Sequence, residues 1–163
     1  MSYDLNIMIF KQEKNWDIDI YNGLTIANEA KRTLKYTNDL WRFISNIDAS
    51  WYEITLDSNG VKTAYEIIDS DFDKECKDKF NWIEDEDILS NLTPIIFNNK
   101  YKDSLKEIMN KMLDLSSIKT ILFKARYQGG DKEFVEGVIP FEKFKIMMDE
   151  EKLMFNICYI IEK

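Results

Sequence analysis

The sequence contains no histidine, and this absence narrows the chemistry that the chain can perform. Histidine is the commonest general base and metal ligand near neutral pH. Ser-His and Cys-His nucleophile pairs and histidine-based metal sites are therefore excluded. Carboxylates, lysine, tyrosine and cysteine remain available as catalytic groups. We expect a protein that is not an enzyme and that uses no metal or other cofactor.

Cysteine and arginine are also scarce. Cys76 and Cys158, the two cysteines, lie far apart without zinc-type spacing, so we expect idle thiols in a reducing compartment. Three arginines and a net charge of −8 argue against direct binding to nucleic-acid phosphates. The sequence shows no signal peptide and no apolar run of about 18 residues. These features predict a cytoplasmic protein that does not enter the membrane.

Most of the net charge lies in the 22 residues from Glu66 to Asp87, here called the acidic block. The block holds ten acidic residues against three lysines, a net charge of −7, whereas the other 141 residues hold 20 acidic and 19 basic residues. Such an asymmetric field attracts a basic partner. A surface that only maintains solubility is the alternative. The predicted partner-binding residues are Glu53, Glu66, Asp69, Asp71, Asp73, Trp82, Glu84, Asp85, Glu86 and Asp87.

Two features of the acidic block have more than one interpretation. Trp82 is either an aromatic anchor for a partner or a side chain that pins the segment to the core. The run Asp69-Ser70-Asp71-Phe72-Asp73 matches the first ligand positions of an EF-hand loop. Lys74 then stands where that loop needs glycine, and Phe80 where it needs a bidentate acid. We therefore predict no specific calcium site.

The apolar pattern predicts one α+β domain over residues 1–163, with a mostly antiparallel sheet. Residues 3–10 and 16–21 alternate apolar and polar, as half-buried strands do. Thr25 is predicted to cap a long N-terminal helix. The apolar stripe of that helix consists of Ile26, Ala30, Leu34, Thr37, Trp41 and Ile44. Asn98 or Asn99 is predicted to cap a second amphipathic helix that ends near Leu115.

The dipeptide Asn59-Gly60 lies between two alternating runs and favours a two-residue type I′ hairpin turn. The predicted inward pairs are Leu56 with Thr63, Ile54 with Tyr65, and Tyr52 with Ile67. The same register sets Glu53 opposite Glu66 on the outer face. This like-charge pair is either a tolerated exposed contact or a place for a partner's cation.

The last third of the chain is predicted to form a β-hairpin–helix–strand unit. Residues 118–127 and 133–139 form the hairpin around Gly129-Gly130. Pro140 begins the helix, and residues 153–161, apolar on both faces apart from Asn156, form an interior strand. The length of the hairpin loop leaves two registers open, with Arg126 opposite Glu133 or Lys124 opposite Glu136.

Residues 118–163 also carry several runs that suggest a known family. The runs are Thr120-Ile121-Leu122-Phe123, Gln128-Gly129-Gly130, Glu136-Gly137-Val138-Ile139, Phe141-Glu142-Lys143-Phe144 and Phe155-Asn156-Ile157-Cys158-Tyr159-Ile160-Ile161. They resemble immunity proteins of bacterial polymorphic-toxin systems, chiefly at fold-forming positions. The resemblance implies a small, acidic, cytoplasmic α+β protein that binds and blocks a cognate toxin domain, often a nuclease. It implies no particular binding residue.

Charge and resemblance together predict an inhibitor that occludes an intracellular toxin with acidic side chains and one or two aromatic anchors. A generic acidic interaction or regulatory module with another basic partner is the main alternative. A small carboxylate-based enzyme is a third hypothesis, which would require two acids with perturbed pKa values in an apolar pocket.

Overall fold

The structure is a computed structural model that describes residues 3–28, 49–56, 66–68, 94–127 and 134–163. The strands in these ranges are β1 (Tyr3–Phe10), β2 (Ile20–Tyr21), β3 (Leu24–Asn28), β4 (Ala49–Leu56), β5 (Thr120–Tyr127), β6 (Phe134–Pro140) and β7 (Ile157–Glu162). The helices are α1 (Asn99–Leu115) and α2 (Phe141–Asp149).

The strands form one mixed sheet in the order β2-β3-β4-β1-β5-β7-β6. Every neighbouring pair is antiparallel except β6 and β7, which run parallel. Parallel neighbours need a crossover connection, and α2 supplies it between these two strands. The α+β class and the mostly antiparallel sheet were thus predicted correctly.

One face of the sheet packs against both helices and forms the main hydrophobic core. Leu5, Ile7 and Ile9 of β1 point into this core because alternate residues of a strand share a face. Phe144 of α2 lies at the centre of an aromatic group there. Its ring centroid is 5.1 Å from that of Phe123 and 5.8 Å from that of Tyr159, in edge-on contacts.

The second predicted helix is confirmed as α1. The side chain of Asn98 caps it by accepting a hydrogen bond from the Lys100 N–H at 3.0 Å, and Ser116 ends it. The buried residues recur at helical spacing, as an amphipathic helix requires. They are Ser104, Leu105, Ile108, Met109, Met112 and Leu113.

The predicted long N-terminal helix is wrong where the structure describes it. Thr25 and Ile26, the predicted cap and first apolar position, lie in β3. The reason is the two-residue turn Asn22-Gly23, with φ values of 49° and 84°, which pairs Tyr21 with Leu24 and returns the chain as a strand. The first helix in the described ranges is α1. The other stripe positions, from Ala30 to Ile44, lie outside the described residues.

The predicted pair of Tyr52 with Ile67 is also wrong. Tyr52 lies opposite Ile7 on one side and Asn28 on the other, so both of its neighbouring positions are taken by β1 and β3. The Asn59-Gly60 turn and the predicted partners Thr63 and Tyr65 lie outside the described residues.

The C-terminal hairpin is wrong because β7 lies between β5 and β6. Lys124 therefore cannot face Glu136 across adjacent strands, and Glu133, the partner predicted for Arg126 in the other register, lies outside the described residues. Lys124 instead lies opposite Asn6 and Cys158, and Arg126 lies opposite Asp4. An apolar strand such as β7 gains most from a position between two others. Its interior position and the helix that begins after Pro140 were predicted correctly.

Candidate protein-interaction surface

The structure places two of the ten predicted binding residues. Glu53 is half-buried in β4, and Glu66 is exposed in a turn that precedes the buried Ile67 and Ile68. The other eight lie outside the described residues: Asp69, Asp71, Asp73, Trp82, Glu84, Asp85, Glu86 and Asp87.

The predicted facing pair of Glu53 and Glu66 does not form across adjacent strands. Glu53 lies opposite Asn6 of β1 and Ala27 of β3, so both neighbouring strand positions are occupied. β4 is an interior strand of the sheet, so it has no edge open to a further strand. Glu53 and Glu66 are therefore not neighbours across adjacent strands.

The described residues on either side of positions 69–93 are held close together. The Ile67 carbonyl accepts a hydrogen bond from the Asn98 N–H at 2.6 Å, and Ile68 forms a bridge with Phe97. On the other side, the Ile95 N–H donates to the Leu153 carbonyl at 2.7 Å. The described residues on both sides of positions 69–93 are thus joined to the rest of the fold, Ile67 and Ile68 through the segment that precedes α1 and Ile95 through Leu153.

The described part of the protein has nearly balanced charge. It contains fifteen acidic and thirteen basic residues, a net charge of −2 out of −8 for the whole chain. The excess negative charge therefore lies mainly in the acidic block and not in the described residues.

A polar row crosses the sheet on the face opposite the helices. The row has one residue in register from each of four neighbouring strands: Glu53 of β4, Asn6 of β1, Lys124 of β5 and Cys158 of β7. Lys124 is only 5% exposed, and its ammonium group lies 6.0 Å from the ring centroid of Trp51. Because Trp51 is on β4, the lysine side chain reaches across β1. Aromatic and polar neighbours offset the cost of burying such a cation.

This row was not predicted, because the sequence pattern favoured Lys124 as a possible hairpin partner of Glu136. A signal was present in the sequence: a lysine stands in the otherwise apolar run Ile121-Leu122-Phe123-Lys124-Ala125. Charged residues are almost never fully buried unless they are paired. Only the order of the strands reveals which polar residues lie beside it.

The β2–β3 hairpin packs along one side of α1. Asn22 Nδ2 donates to Ser104 Oγ at 3.2 Å, and Tyr21 Oη donates to the Glu107 carboxylate. A Cβ atom at Gly23 would lie 4.0 Å from Cε1 of Tyr101. The three helix residues are spaced by three and therefore form one stripe. These contacts fix the position of the hairpin on the helix.

A cleft of about 550 Å³ opens beside this stripe, between Tyr21, α1 and the start of α2. Two of its lysines are paired, Lys106 with Asp149 at 2.6 Å and Lys145 with Glu142 at 2.7 Å. A third, Lys111, holds its ammonium 5.7 Å from the centroid of the Tyr21 ring. The lining also includes Asp103, Glu107 and Asn110.

The pKa values of two tyrosine side chains are raised above the usual value. The hydrogen bond to Glu107 raises the pKa of Tyr21 above its usual 10.0, with desolvation and the nearby negative charge acting in the same direction. Burial raises the pKa of Tyr52, whose hydroxyl donates to Gln12 Oε1 at 2.8 Å. Both phenols stay neutral near pH 7 and act there as hydrogen-bond donors, since a nucleophilic phenolate would need a lowered pKa.

Within the described ranges, no group of three or more Cys, Asp or Glu side chains is arranged to hold a metal ion. No helix in those ranges is long and apolar enough to cross a membrane. Comparison with protein-family models finds no match to this chain, and comparisons with curated proteins and with solved structures find no match either.

Proposed function

We propose that this chain is an immunity protein that binds and neutralises a cognate toxin domain in the cytoplasm. The observation that carries the proposal is the charge distribution. The described residues have a net charge of only −2, whereas residues 69–87 of the acidic block, which lie outside them, have a net charge of −6. A nuclease must line its cleft with lysine and arginine to bind phosphates. A concentrated acidic segment is complementary to such a cleft, so a nuclease is the toxin that we expect.

The proposed mechanism is occlusion, in which acidic side chains cover the basic active site or a site beside it. Opposite charge steers the two proteins together and raises the association rate by about 10–1000-fold at low salt. Trp82 is the aromatic anchor that we propose within the acidic block. Inhibition by occlusion needs no catalytic group and no cofactor in the immunity protein.

The attachment of the acidic block supports this mechanism. Ile67 and Ile68 are buried and joined to the segment that precedes α1, while Ile95 is joined to Leu153. The chain is thus held in the main core on both sides of positions 69–93. Fixed ends lower the conformational entropy that a binding segment loses on association.

The test is co-expression with the toxin domain encoded beside this gene. We expect wild-type protein to restore growth and to co-purify with the toxin. Replacing the acids from Asp69 to Asp87 by Asn and Gln should abolish both effects, while circular dichroism shows that the variant remains folded. Rescue that survives this replacement would overturn the proposed site. Absence of both rescue and complex with wild-type protein would overturn the immunity function and favour the generic acidic module.

A further inference from the structure

In the part of the sheet that the structure describes, β2 is an edge strand that combines an exposed apolar residue with acidic neighbours. Ile20 is 55% exposed, although its side chain is large and apolar. Asp17 and Asp19, which precede it, are also exposed. Among the described strands, β2 has a neighbour on one side only. An open sheet edge is a template for pairing with another chain.

The hairpin register shows which backbone groups face outward. Tyr21 and Leu24 flank the two-residue turn and form the hydrogen-bonded pair next to it. Asp19 and Ile26 form the next such pair, since the Ile26 N–H donates to the Asp19 carbonyl at 2.7 Å. Ile20 lies between these pairs, so its N–H and C=O point away from β3. One residue thus offers a donor, an acceptor and an exposed side chain on the same edge.

The opposite edge of the sheet is built differently. β6 carries a bulge between Glu136 and Ile139 and ends at Pro140, which has no N–H group. Bulges and proline are two devices that prevent pairing at sheet edges. Val138 on this edge is 54% exposed, almost the same as Ile20. The two positions therefore form a matched pair for experiments.

We infer that the β2 edge receives an extended basic segment of the toxin as an added strand. The inference rests on the proposed function for the identity of the partner. Backbone hydrogen bonds at Ile20 would provide the pairing, and Asp17 and Asp19 would contact lysine or arginine side chains, as in recognition by strand addition. A second copy of this chain is a poor occupant, because adjacent strands are about 4.8 Å apart and four carboxylates would crowd together.

The experiment measures binding of a catalytically inactive toxin domain to full-length variants. Ile20→Lys places a cation on the edge and removes the apolar contact, so we expect the dissociation constant to rise about ten-fold or more. Val138→Lys is the matched control and should change it less than about two-fold. In the wild-type complex, hydrogen exchange at the Ile20 amide should slow markedly, while exchange at the Val138 amide should not.

The outcomes separate this inference from the proposed function. If the toxin binds wild-type protein but neither the Ile20→Lys affinity nor the Ile20 amide exchange changes, the β2 edge is not a docking site. Equal losses in Ile20→Lys and Val138→Lys would also overturn it, since they indicate general charge repulsion. If wild-type protein does not bind the toxin, the proposed function fails together with this inference.

Discussion

The two faces of the sheet are built on different principles. The face that carries α1 and α2 is apolar almost throughout and includes the packed rings of Phe123, Phe144 and Tyr159. The other face has a smaller buried cluster, including Met8 and Leu122, beside the polar row. Apolar burial therefore stabilises the first face, whereas the second face combines a smaller apolar cluster with polar contacts that depend on strand register.

The largest expected effect tests the helix-covered face. Phe144→Ala removes a fully buried ring that contacts both Phe123 and Tyr159. We expect the free energy of unfolding to fall by about 3–5 kcal/mol, because the cavity cannot be refilled without moving α2. Urea denaturation measures this change. A loss below about 1 kcal/mol would show that this face is not the main source of stability.

An intermediate effect is expected on the second face. Lys124→Met keeps most of the side-chain stem but removes the buried ammonium from Trp51 and from the row that contains Asn6 and Glu53. We expect a loss of about 1–3 kcal/mol, because polar groups on neighbouring strands lose a partner without regaining water. Lys143→Met, at an exposed position of α2, is the control and should change stability by less than about 0.5 kcal/mol.

Equal stability of Lys124→Met and Lys143→Met would contradict a stabilising role for the polar row. It would mean that the polar row contributes no more than an ordinary surface charge. Both variants can be followed by the same denaturation measurement as Phe144→Ala, so the three values are directly comparable.

The smallest of the three effects is expected where the helix-covered face meets the edge of the sheet. Gly23 has φ 84°, so Gly23→Ala should cost about 1–2 kcal/mol through strain in the left-handed region. Gly137→Ala is the control, because an added Cβ there would meet no atom within 4 Å. Its effect should be about 0.5 kcal/mol or less, measured by thermal unfolding. Equal effects would contradict the turn geometry assigned to Asn22-Gly23.

Local patterns predicted part of the fold well. The Asn98 cap, the apolar spacing of α1 and Pro140 before α2 depend on nearby residues, and the structure confirms them. The N-terminal helix failed because Gly23 was treated only as a break in the pattern. The same Asn-Gly signal that predicted a turn at Asn59-Gly60 forms a turn at Asn22-Gly23. Apolar residues that recur every three or four positions therefore did not determine the structure of the described residues after that turn.

Long-range order could not be predicted from adjacent residues. Sequence proximity favoured a hairpin of β5 with β6, but the apolar β7, which comes last in the chain, lies between them. The polar row around Lys124 and the outward-facing backbone of Ile20 both follow from strand order and register. The acidic block, by contrast, is a property of composition and could be found from the sequence alone.

The most direct test of the central claim is the salt dependence of toxin binding for two variants with equal charge change. One replaces Glu84, Asp85, Glu86 and Asp87 by Gln or Asn, and the other replaces the exposed acids Glu142, Asp149, Glu150 and Glu162 in the same way. At low salt, we expect the first variant to bind about ten-fold more weakly, with a flatter salt dependence, and the second to stay within about two-fold of wild type. Equal losses in both variants would contradict the claim that the acidic block forms the binding surface.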